Sequence, residues 1–306
     1  MSTMWLCIVC FLAVANLVAP QSIINSLPGF SGDLPFKLET GYVGVGKSDE
    51  VQLFYYFIES ERSPEDDPLV LWLTGGAGCS GFSGLVYEMG MYVLNLTHPL
   101  YLSLSLSTAQ ILEPTCQLLS PKPRTRVSKW DPDTLVEDSV DLLRSITHLP
   151  EPRAWCREYN YLYSYIWAND KTVQKALRIR EGSINEWVRC NLTLANTYDY
   201  DVSSSLNYHR NLIKKGYEVL IYSGDHDMVI PYIATHAWID SLNLTIAHDW
   251  RPWFVDGQIA GFTMQYTSKK YCLTFATVKG AGHTAPEYKP NECLAMIDRW
   301  LSYYPL

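Results

Sequence analysis

The first periodic pattern along the chain predicts a β-hairpin. Apolar residues alternate with small or polar ones over Gly41–Val45, and an aromatic-rich apolar run follows over Val51–Phe57. A polar Gly-Lys-Ser-Asp-Glu turn separates the two runs. Two such runs joined by a short turn that contains glycine are typical of antiparallel strands.

Three short, continuous apolar runs predict strands that are buried on both faces. They span Leu69–Leu73, Val219–Tyr222 and Leu273–Val278, and each runs into a glycine-rich turn that carries polar residues. Strands buried on both faces are typical of the sheets of α/β proteins. Because such sheets place functional groups at the carboxyl ends of their strands, the three turns that follow these runs form the candidate site.

Helical spacing of apolar residues predicts two helices. They cover Asp170–Ile179 and Asn291–Leu301, and Pro290 stands just before the second. The region between the first and second of these predicted strands has a different composition. Residues 113–155 are polar and proline-rich, and residues 100–108 alternate almost entirely between Leu and Ser. We interpret 113–155 as a surface excursion or lid rather than as sheet core.

Charge and the N-terminal pattern limit the class of protein. The chain has 306 residues and a formal net charge of -8, which argues against a nucleic-acid partner. Met4–Ala19 is almost wholly apolar and too short for a membrane span, so we predict a signal peptide at residues 1–21 and a folded domain at 22–306. No membrane association is expected after cleavage. The alternative is an N-terminal anchor that is never cut.

The cysteines and glycosylation sequons agree with secretion. Two cysteines, Cys7 and Cys10, lie in the leader, and an even number remain in the domain, which favours disulfides in an oxidising compartment. Asn-x-Ser/Thr sequons start at Asn95, Asn191 and Asn243. We therefore expect a glycosylated protein that is extracellular or vacuolar. No His-Glu-x-x-His motif, phosphate loop or dinucleotide fingerprint is present, so neither a metal nor a cofactor is predicted.

Two polar residues at strand ends suggest hydrolase chemistry. Asp227 follows one predicted strand and His283 follows another, in the chain order of the last two members of an α/β-hydrolase triad. The histidine would take the nucleophile's proton, and the aspartate would fix its tautomer. A turn-capping aspartate and a loop histidine are the alternatives. Gly75 and Gly76 suit an oxyanion hole, although a plain tight turn has the same pattern.

These segments together resemble a known family. Residues 71–80, 223–227 and 280–287 are similar to the Trp-Leu-x-Gly-Gly-Pro-Gly-Cys-Ser, Asp and His motifs of the serine carboxypeptidases. The likeness extends over residues 22–95 and 110–306 and points to the plant branch that includes glucose-ester-dependent acyltransferases. It implies an α/β-hydrolase fold, here with an incomplete central sheet and a shortened cap.

The resemblance assigns roles to individual residues. Asp227 and His283 would be the triad acid and base, and Gly75 and Gly76 would form the oxyanion hole. The pocket for a substrate carboxylate or its replacement would be lined by three further residues, Trp72, Thr74 and Glu88. The implied ligand is a small-molecule acyl ester or a peptide C-terminus.

The resemblance also bears on substrate branch and on disulfides. Peptidases usually carry Asn where this chain has Thr74, and Thr74 together with His226 favours the acyltransferase-like branch. The implied disulfides are Cys79–Cys190 and Cys116–Cys156. Two cysteines, Cys272 and Cys293, are left either paired or free, and the oligomeric state stays open.

The nucleophile of the triad is absent from the sequence. A Gly-x-Ser-x-Gly elbow occurs nowhere in the chain, and Ser80 and Ser83 lack the strand–serine–helix context that exposes a nucleophile. An internal deletion near 96–110 would account for the loss. Three hypotheses remain: an enzyme with an unrecognised nucleophile, a non-catalytic binding or regulatory relative, and the product of a truncated or mis-spliced transcript.

Overall fold

The computed structural model describes residues 21–46, 51–89 and 159–306. The strands in these ranges are β1 Ser22–Ile24, β2 Leu38–Val45, β3 Val51–Ile58, β4 Glu218–Gly224, β5 Thr245–Val255, β6 Gln258–Ser268 and β7 Tyr271–Val278. The helices are α1 Tyr159–Asn169, α2 Lys171–Ala176, α3 Leu192–Thr197, α4 Leu206–Lys215, α5 Tyr232–Asp240, α6 Ala285–Tyr288 and α7 Pro290–Leu301, with a π-helix at Gly84–Met89.

Several sequence predictions lie outside the described residues. They are residues 1–20 of the signal peptide predicted at 1–21, the Leu/Ser stretch at 100–108, the deletion near 96–110, the excursion at 113–155, and the residues Asn95, Cys116 and Cys156.

The chain divides into two compact units. The first combines Met1–Leu71 with Leu162–Val188, and the second combines Trp72–Tyr161 with Arg189–Leu306. The predicted hairpin is confirmed in the first unit, where β2 and β3 pair along their whole length with Leu38 opposite Ile58.

A helix cap and a buried hydrogen bond hold the first unit together. Helix α2 begins after Asp170, whose carboxylate accepts hydrogen bonds from the backbone N–H of Thr172 at 2.7 Å and of Val173 at 3.4 Å. The Thr40 hydroxyl of β2, fully buried, donates to the carbonyl of Leu177 at 2.8 Å. The predicted helix at 170–179 is therefore present but ends earlier than expected.

The second unit contains a four-stranded sheet in the order β4-β7-β6-β5. Strand β4 pairs with β7 in parallel, whereas β7 with β6 and β6 with β5 are antiparallel pairs. The prediction of a buried strand is confirmed for β7, in which Tyr271, Leu273, Phe275, Ala276 and Val278 are 0 % exposed. The predicted helix at the C-terminus is confirmed as α7.

The prediction of full burial was wrong for β4. Only its last two residues, Ser223 and Gly224, are buried, and Tyr222 is 38 % exposed. The physical reason is its position, because within the described residues β4 has a neighbour only on the side of β7.

The prediction of a buried strand at Leu69–Leu73 was also wrong. The segment has no strand partner in the described part of the chain, and three of its leucines lie almost fully in solvent: Leu69 is 83 %, Leu71 80 % and Leu73 80 % exposed. An apolar run becomes a buried strand only when neighbouring strands and helices cover it. The apolar pattern of this segment therefore predicts burial, but the described residues contain no strand that covers it.

Among the described residues, no helix has the length and apolar character needed to cross a membrane. The same residues contain no group of three His, Cys, Asp or Glu side chains placed to hold a metal ion.

Candidate functional site

Asp227 and His283 form a hydrogen-bonded pair. Strands β4 and β7 run parallel and in register, so the turns that follow them emerge at the same edge of the sheet. His283 Nδ1 lies 2.9 Å from Asp227 Oδ2. Asp227 is 5 % exposed, whereas the His283 side chain is 43 % exposed. The acid is therefore enclosed and the imidazole is open to a ligand, as proton transfer by the histidine requires.

Backbone donors fix the orientation of the buried aspartate. Its second oxygen, Oδ1, accepts hydrogen bonds from the N–H of Val229 at 2.7 Å and of Ile230 at 3.2 Å. One oxygen thus faces the imidazole and the other is held by the turn, which leaves the carboxylate little freedom to rotate.

The two turns also bind each other directly. His226 N–H donates to the carbonyl of Ala281 at 3.0 Å, and Gly280 N–H donates to Asp225 Oδ1 at 2.6 Å. The turns approach so closely at Gly224 that a Cβ built there would lie 2.3 Å from the Ala281 carbonyl oxygen. Glycine is required at this position because any side chain would separate the two turns.

A disulfide anchors the turn that carries Gly75 and Gly76. Cys79 bonds to Cys190, which is the pairing implied by the resemblance, and the N–H of Cys79 donates to the carbonyl of Gly76 at 3.2 Å. Gly75 has open space around it, with nothing within 4 Å of a Cβ built on its backbone. No hydrogen bond joins either glycine to His283 within the described residues. The assignment of Gly75 and Gly76 to an oxyanion hole therefore stays a prediction.

The three residues of the predicted pocket lie on one stretch of the second unit. The Trp72 indole packs on Gly84, and the Thr74 hydroxyl lies 3.8 Å from a Cβ built on Gly81. Glu88 follows on the π-helix and lies within electrostatic range of His283. Glu88 is therefore near the acid–base pair, and the shared role of the three residues as a pocket stays a prediction.

The sequence reasoning missed a second buried carboxylate in this site. Glu287 is 7 % exposed, and its Oε2 accepts hydrogen bonds from the hydroxyls of Tyr161 at 2.9 Å and Thr284 at 2.7 Å. The Tyr161 ring packs edge-on against Tyr87, and the Arg189 guanidinium lies over its face with Cζ 4.2 Å from the ring centroid. Glu287 stands four residues after His283 in the same sequence motif, and this position was the available signal.

Burial and the neighbouring Glu287 both raise the pKa of the Glu88 carboxyl. Burial raises the pKa of Glu88 above its usual value, and the neighbouring Glu287 carboxylate raises it further. His283 and Arg189 act in the opposite direction with smaller effect. Glu88 therefore stays protonated to a higher pH than an exposed glutamate and can then donate a hydrogen bond.

The raised pKa of Glu88 predicts a pH-dependent stability difference. The folded chain favours protonated Glu88, so this contribution is full below the unfolded pKa of about 4.3 and is lost as pH rises through the folded value. Replacing Glu88 by Gln removes the effect. Chemical denaturation at a series of pH values is expected to show Glu88→Gln gaining stability relative to the unmodified chain as pH rises. A difference that does not change with pH contradicts this interpretation.

The other predicted site residues occupy the surface or the core. Asn191 and Asn243 are exposed, and Asn191 Oδ1 accepts from the N–H of Leu194 at 3.1 Å and so caps α3. Cys272 and Cys293 are both free, and burial raises the pKa of the Cys293 thiol to about 12, so that it stays un-ionised.

Comparison with known proteins identifies the family. The sequence pattern described as Serine carboxypeptidase matches residues 28–105 and 100–303. The chain belongs to the serine carboxypeptidase family. Its predicted fold class, an α/β-hydrolase fold, is confirmed by this membership together with the mixed sheets and helices described above.

Individual relatives agree with this assignment. Serine carboxypeptidase-like 7 of Arabidopsis thaliana is 34 % identical over 439 positions, which cover 100 % of this chain and 99 % of the relative. Serine carboxypeptidase-like 2 of the same plant is 35 % identical over 421 positions, covering 94 % of each chain. Among solved structures, Kex1Δp, a prohormone-processing carboxypeptidase from Saccharomyces cerevisiae, aligns with 17 % identity and a TM-score of 0.41, over 50 % of this chain and 32 % of that one.

Proposed function

We propose that the chain is a secretory-pathway member of the family that keeps the acid–base pair and the acyl or carboxylate pocket but does not form an acyl-serine. The observation that carries the proposal is the absence of a Gly-x-Ser-x-Gly elbow from the whole sequence, beside an intact hydrogen bond between Asp227 and His283. Family chemistry is acyl transfer through an acyl-serine, to water in peptide hydrolysis or to an alcohol. Without the serine, the histidine has no nucleophile hydroxyl from which to take a proton, and the acyl-serine intermediate is not formed.

The two serines nearest the site are poor substitutes. Ser83 is 6 % exposed, so its hydroxyl is closed to a substrate carbonyl. The Ser80 hydroxyl accepts a hydrogen bond from the N–H of Phe82 at 3.3 Å within its own turn. No hydrogen bond joins either hydroxyl to His283 in the part of the chain that the structure describes. Activation of a nucleophile by a base requires such a contact.

The ligand is a peptide C-terminus or a small acyl ester. Trp72 and Thr74 supply an indole N–H and a hydroxyl to the pocket, and protonated Glu88 adds a further donor at acidic pH. The predicted leader and the three sequons support passage through the secretory pathway to the cell exterior or the vacuole. The chain would then act as a binding or regulatory relative of the family enzymes.

A turnover assay tests the proposal. The full chain and a His283→Ala variant would be assayed for release of the C-terminal residue of an N-blocked dipeptide and for acyl transfer from a 1-O-acyl-glucose. We expect equal, background rates, because loss of a serine nucleophile costs roughly 10⁶-fold in kcat. Turnover by the full chain that the His283→Ala variant lacks would contradict the proposal.

A second candidate is a longer gene product with the elbow restored. The alignment with Serine carboxypeptidase-like 7 has 439 positions against the 306 residues of this chain, so at least 133 of them carry no residue of it. The family match also comes as two segments that meet at residues 100–105. Sequencing the transcript across the codons for residues 90–115 decides this, since an in-frame insert encoding Gly-x-Ser-x-Gly would make the full product an ordinary family enzyme.

A further inference from the structure

The second unit has a cavity at the end of its sheet that lies away from Asp227 and His283. The cavity has a volume of about 410 Å³, within the range of roughly 300–1,000 Å³ that is usual for small-molecule sites. Glu218, the first residue of β4, lies on its wall, whereas the acid–base pair follows the last residues of β4 and β7. Because β4 has seven residues, roughly 20 Å separates its two ends. The cavity is therefore distinct from the site described above.

Three aromatic side chains line this cavity. They are Tyr217, Trp300 and Tyr303, and the two tyrosines are exposed. None of the three rings stacks on another aromatic ring within the described part of the chain. The exposed rings of Tyr217 and Tyr303 therefore offer apolar faces to a ligand that has an apolar surface of its own.

A carboxylate and an ammonium group stand at the same cavity. Glu218 and Lys270 both line it and are exposed, and neither side chain forms an ion pair or a hydrogen bond with another described residue. The carboxylate accepts hydrogen bonds and the ammonium group donates them. Since their formal charges balance, the lining favours neither an anion nor a cation. It suits a neutral ligand that carries several hydroxyl groups.

Tyr303 has an unusual backbone conformation at the end of α7. Its φ is 59°, in the left-handed region that glycine favours. The N–H of Tyr303 donates to the Trp300 carbonyl at 3.3 Å, and that of Tyr304 to the Arg299 carbonyl at 2.8 Å, which are the two bonds of a Schellman motif. The turn lets the chain reach the core with Leu306, which is buried. That role calls for a turn but not for a tyrosine.

The neighbouring helix α4 shows the usual form of this motif. It is capped by Gly216, which has a φ of 72° and lines the same cavity. The N–H of Gly216 donates to the Ile213 carbonyl at 3.2 Å, and that of Tyr217 to the Leu212 carbonyl at 3.3 Å. A side chain in this conformation costs free energy that glycine avoids. The Tyr303 side chain is 80 % exposed and gains little from packing, and such strain is typical of functional positions.

We propose that this cavity is a sugar-binding site, in which a pyranose stacks its C–H face on Tyr303 and Tyr217. Glu218 and Lys270 form hydrogen bonds with its hydroxyls. A pyranose is neutral, presents apolar C–H groups on its faces and carries hydroxyls that both donate and accept. These properties match the exposed rings and the balanced charges of the lining. The site is independent of the proposed function, because it uses none of the residues around Asp227 and His283.

NMR titration of the full chain measures the affinity for two probes, cellobiose and the pentasaccharide core of N-glycans. We expect millimolar dissociation constants, because the cavity is open and small neutral ligands gain little net free energy there. Saturation transferred from the protein is expected to reach the C–H groups of the pyranose. Binding of either probe supports the site, and a tenfold preference for one identifies the source as a glycoprotein or a free saccharide. Tetramethylammonium is titrated as well, since aromatic rings also bind organic cations.

The role of Tyr303 predicts opposite effects on affinity and stability. Tyr303→Gly is expected to weaken sugar binding by about tenfold, the loss of one stacked ring. The melting temperature of the unliganded chain is expected to stay the same or rise, because glycine adopts a positive φ without strain. The matched control is Tyr304→Gly, since Tyr304 is 69 % exposed, has no positive φ and does not line the cavity. This control is expected to lower the melting temperature and to leave binding unchanged.

Four outcomes would overturn the proposal. Failure of the unmodified chain to bind either sugar removes the site. Tighter binding of tetramethylammonium than of both sugars contradicts the assignment of a neutral ligand. Affinity that Tyr303→Gly leaves unchanged contradicts the stacking on Tyr303, and a fall in melting temperature as large as that of Tyr304→Gly contradicts the strain at this residue.

Discussion

Replacing Cys79 and Cys190 together by serine is expected to lower the free energy of unfolding by about 4–5 kcal/mol. The disulfide joins residues 111 positions apart, and a cross-link that closes a loop of this length removes much of the entropy of the unfolded chain. The bond also fixes the turn of Gly76, so the variant loses local order beside the pocket. Urea denaturation followed by tryptophan fluorescence measures the change.

The matched control for the disulfide is Cys272→Ser. Cys272 is a free, partly buried thiol whose Sγ accepts from Gln265 Nε2 at 3.0 Å, so the same chemical change there removes no cross-link. We expect the control to lose about 1 kcal/mol, as for one hydrogen bond. A double serine variant that is no less stable than this control would show that the disulfide does not stabilise the folded chain.

Replacing Gly224 by Ala is expected to cost about 3 kcal/mol and to separate Asp227 from His283. The new Cβ would lie 2.3 Å from the Ala281 carbonyl oxygen and 2.4 Å from that of Gly282, and backbone atoms on both sides cannot move aside cheaply. The two turns must therefore part. Denaturation measures the stability loss, and the His283 proton resonances in NMR report whether the bond to Asp227 survives.

Gly75→Ala is the matched control for this substitution. Gly75 is exposed and has nothing within 4 Å of an added Cβ, so the same change is expected to alter the stability by less than about 0.5 kcal/mol. Equal effects of the two substitutions would contradict the close packing of the two turns.

The acid–base pair was within reach of sequence reasoning. Each of Asp227 and His283 follows a short apolar run, and parallel strands bring such turns to the same edge of a sheet. The contact between Asp227 and His283 could be predicted for the same reason. The surroundings of the pair could not be predicted in this way. The hydrogen bond between Tyr161 and Glu287 joins residues 126 positions apart, and no periodic pattern in the sequence indicates it.

The β5–β6 ribbon shows how a local signal can be overlooked. Asp256 and Gly257 both have positive φ, of 48° and 74°, in a two-residue turn with Val255 opposite Gln258. An Asp-Gly pair is a strong signal for this kind of turn. The flanking strand β5 was missed because its charged residues interrupt the alternation and its pairing with β6 is irregular at three places.

The segment Leu69–Leu73 shows the limit of pattern alone. Its apolar run predicts burial, but burial depends on the neighbours that a sheet provides. Strand β4 is likewise at the edge of its sheet among the described residues, with Val219–Ile221 partly exposed and Tyr222 38 % exposed. An apolar segment without cover and an open strand edge are together expected to promote association of the chain with itself.

The most direct test of the central claim is active-site labelling. The full chain would be treated with a fluorophosphonate, which phosphonylates serines activated by a histidine, and its intact mass would be compared with that of the His283→Ala variant. We predict no adduct on either protein, because the acid–base pair has no serine to activate. A stoichiometric adduct that requires His283 would contradict the account, and peptide mapping would then name the nucleophile.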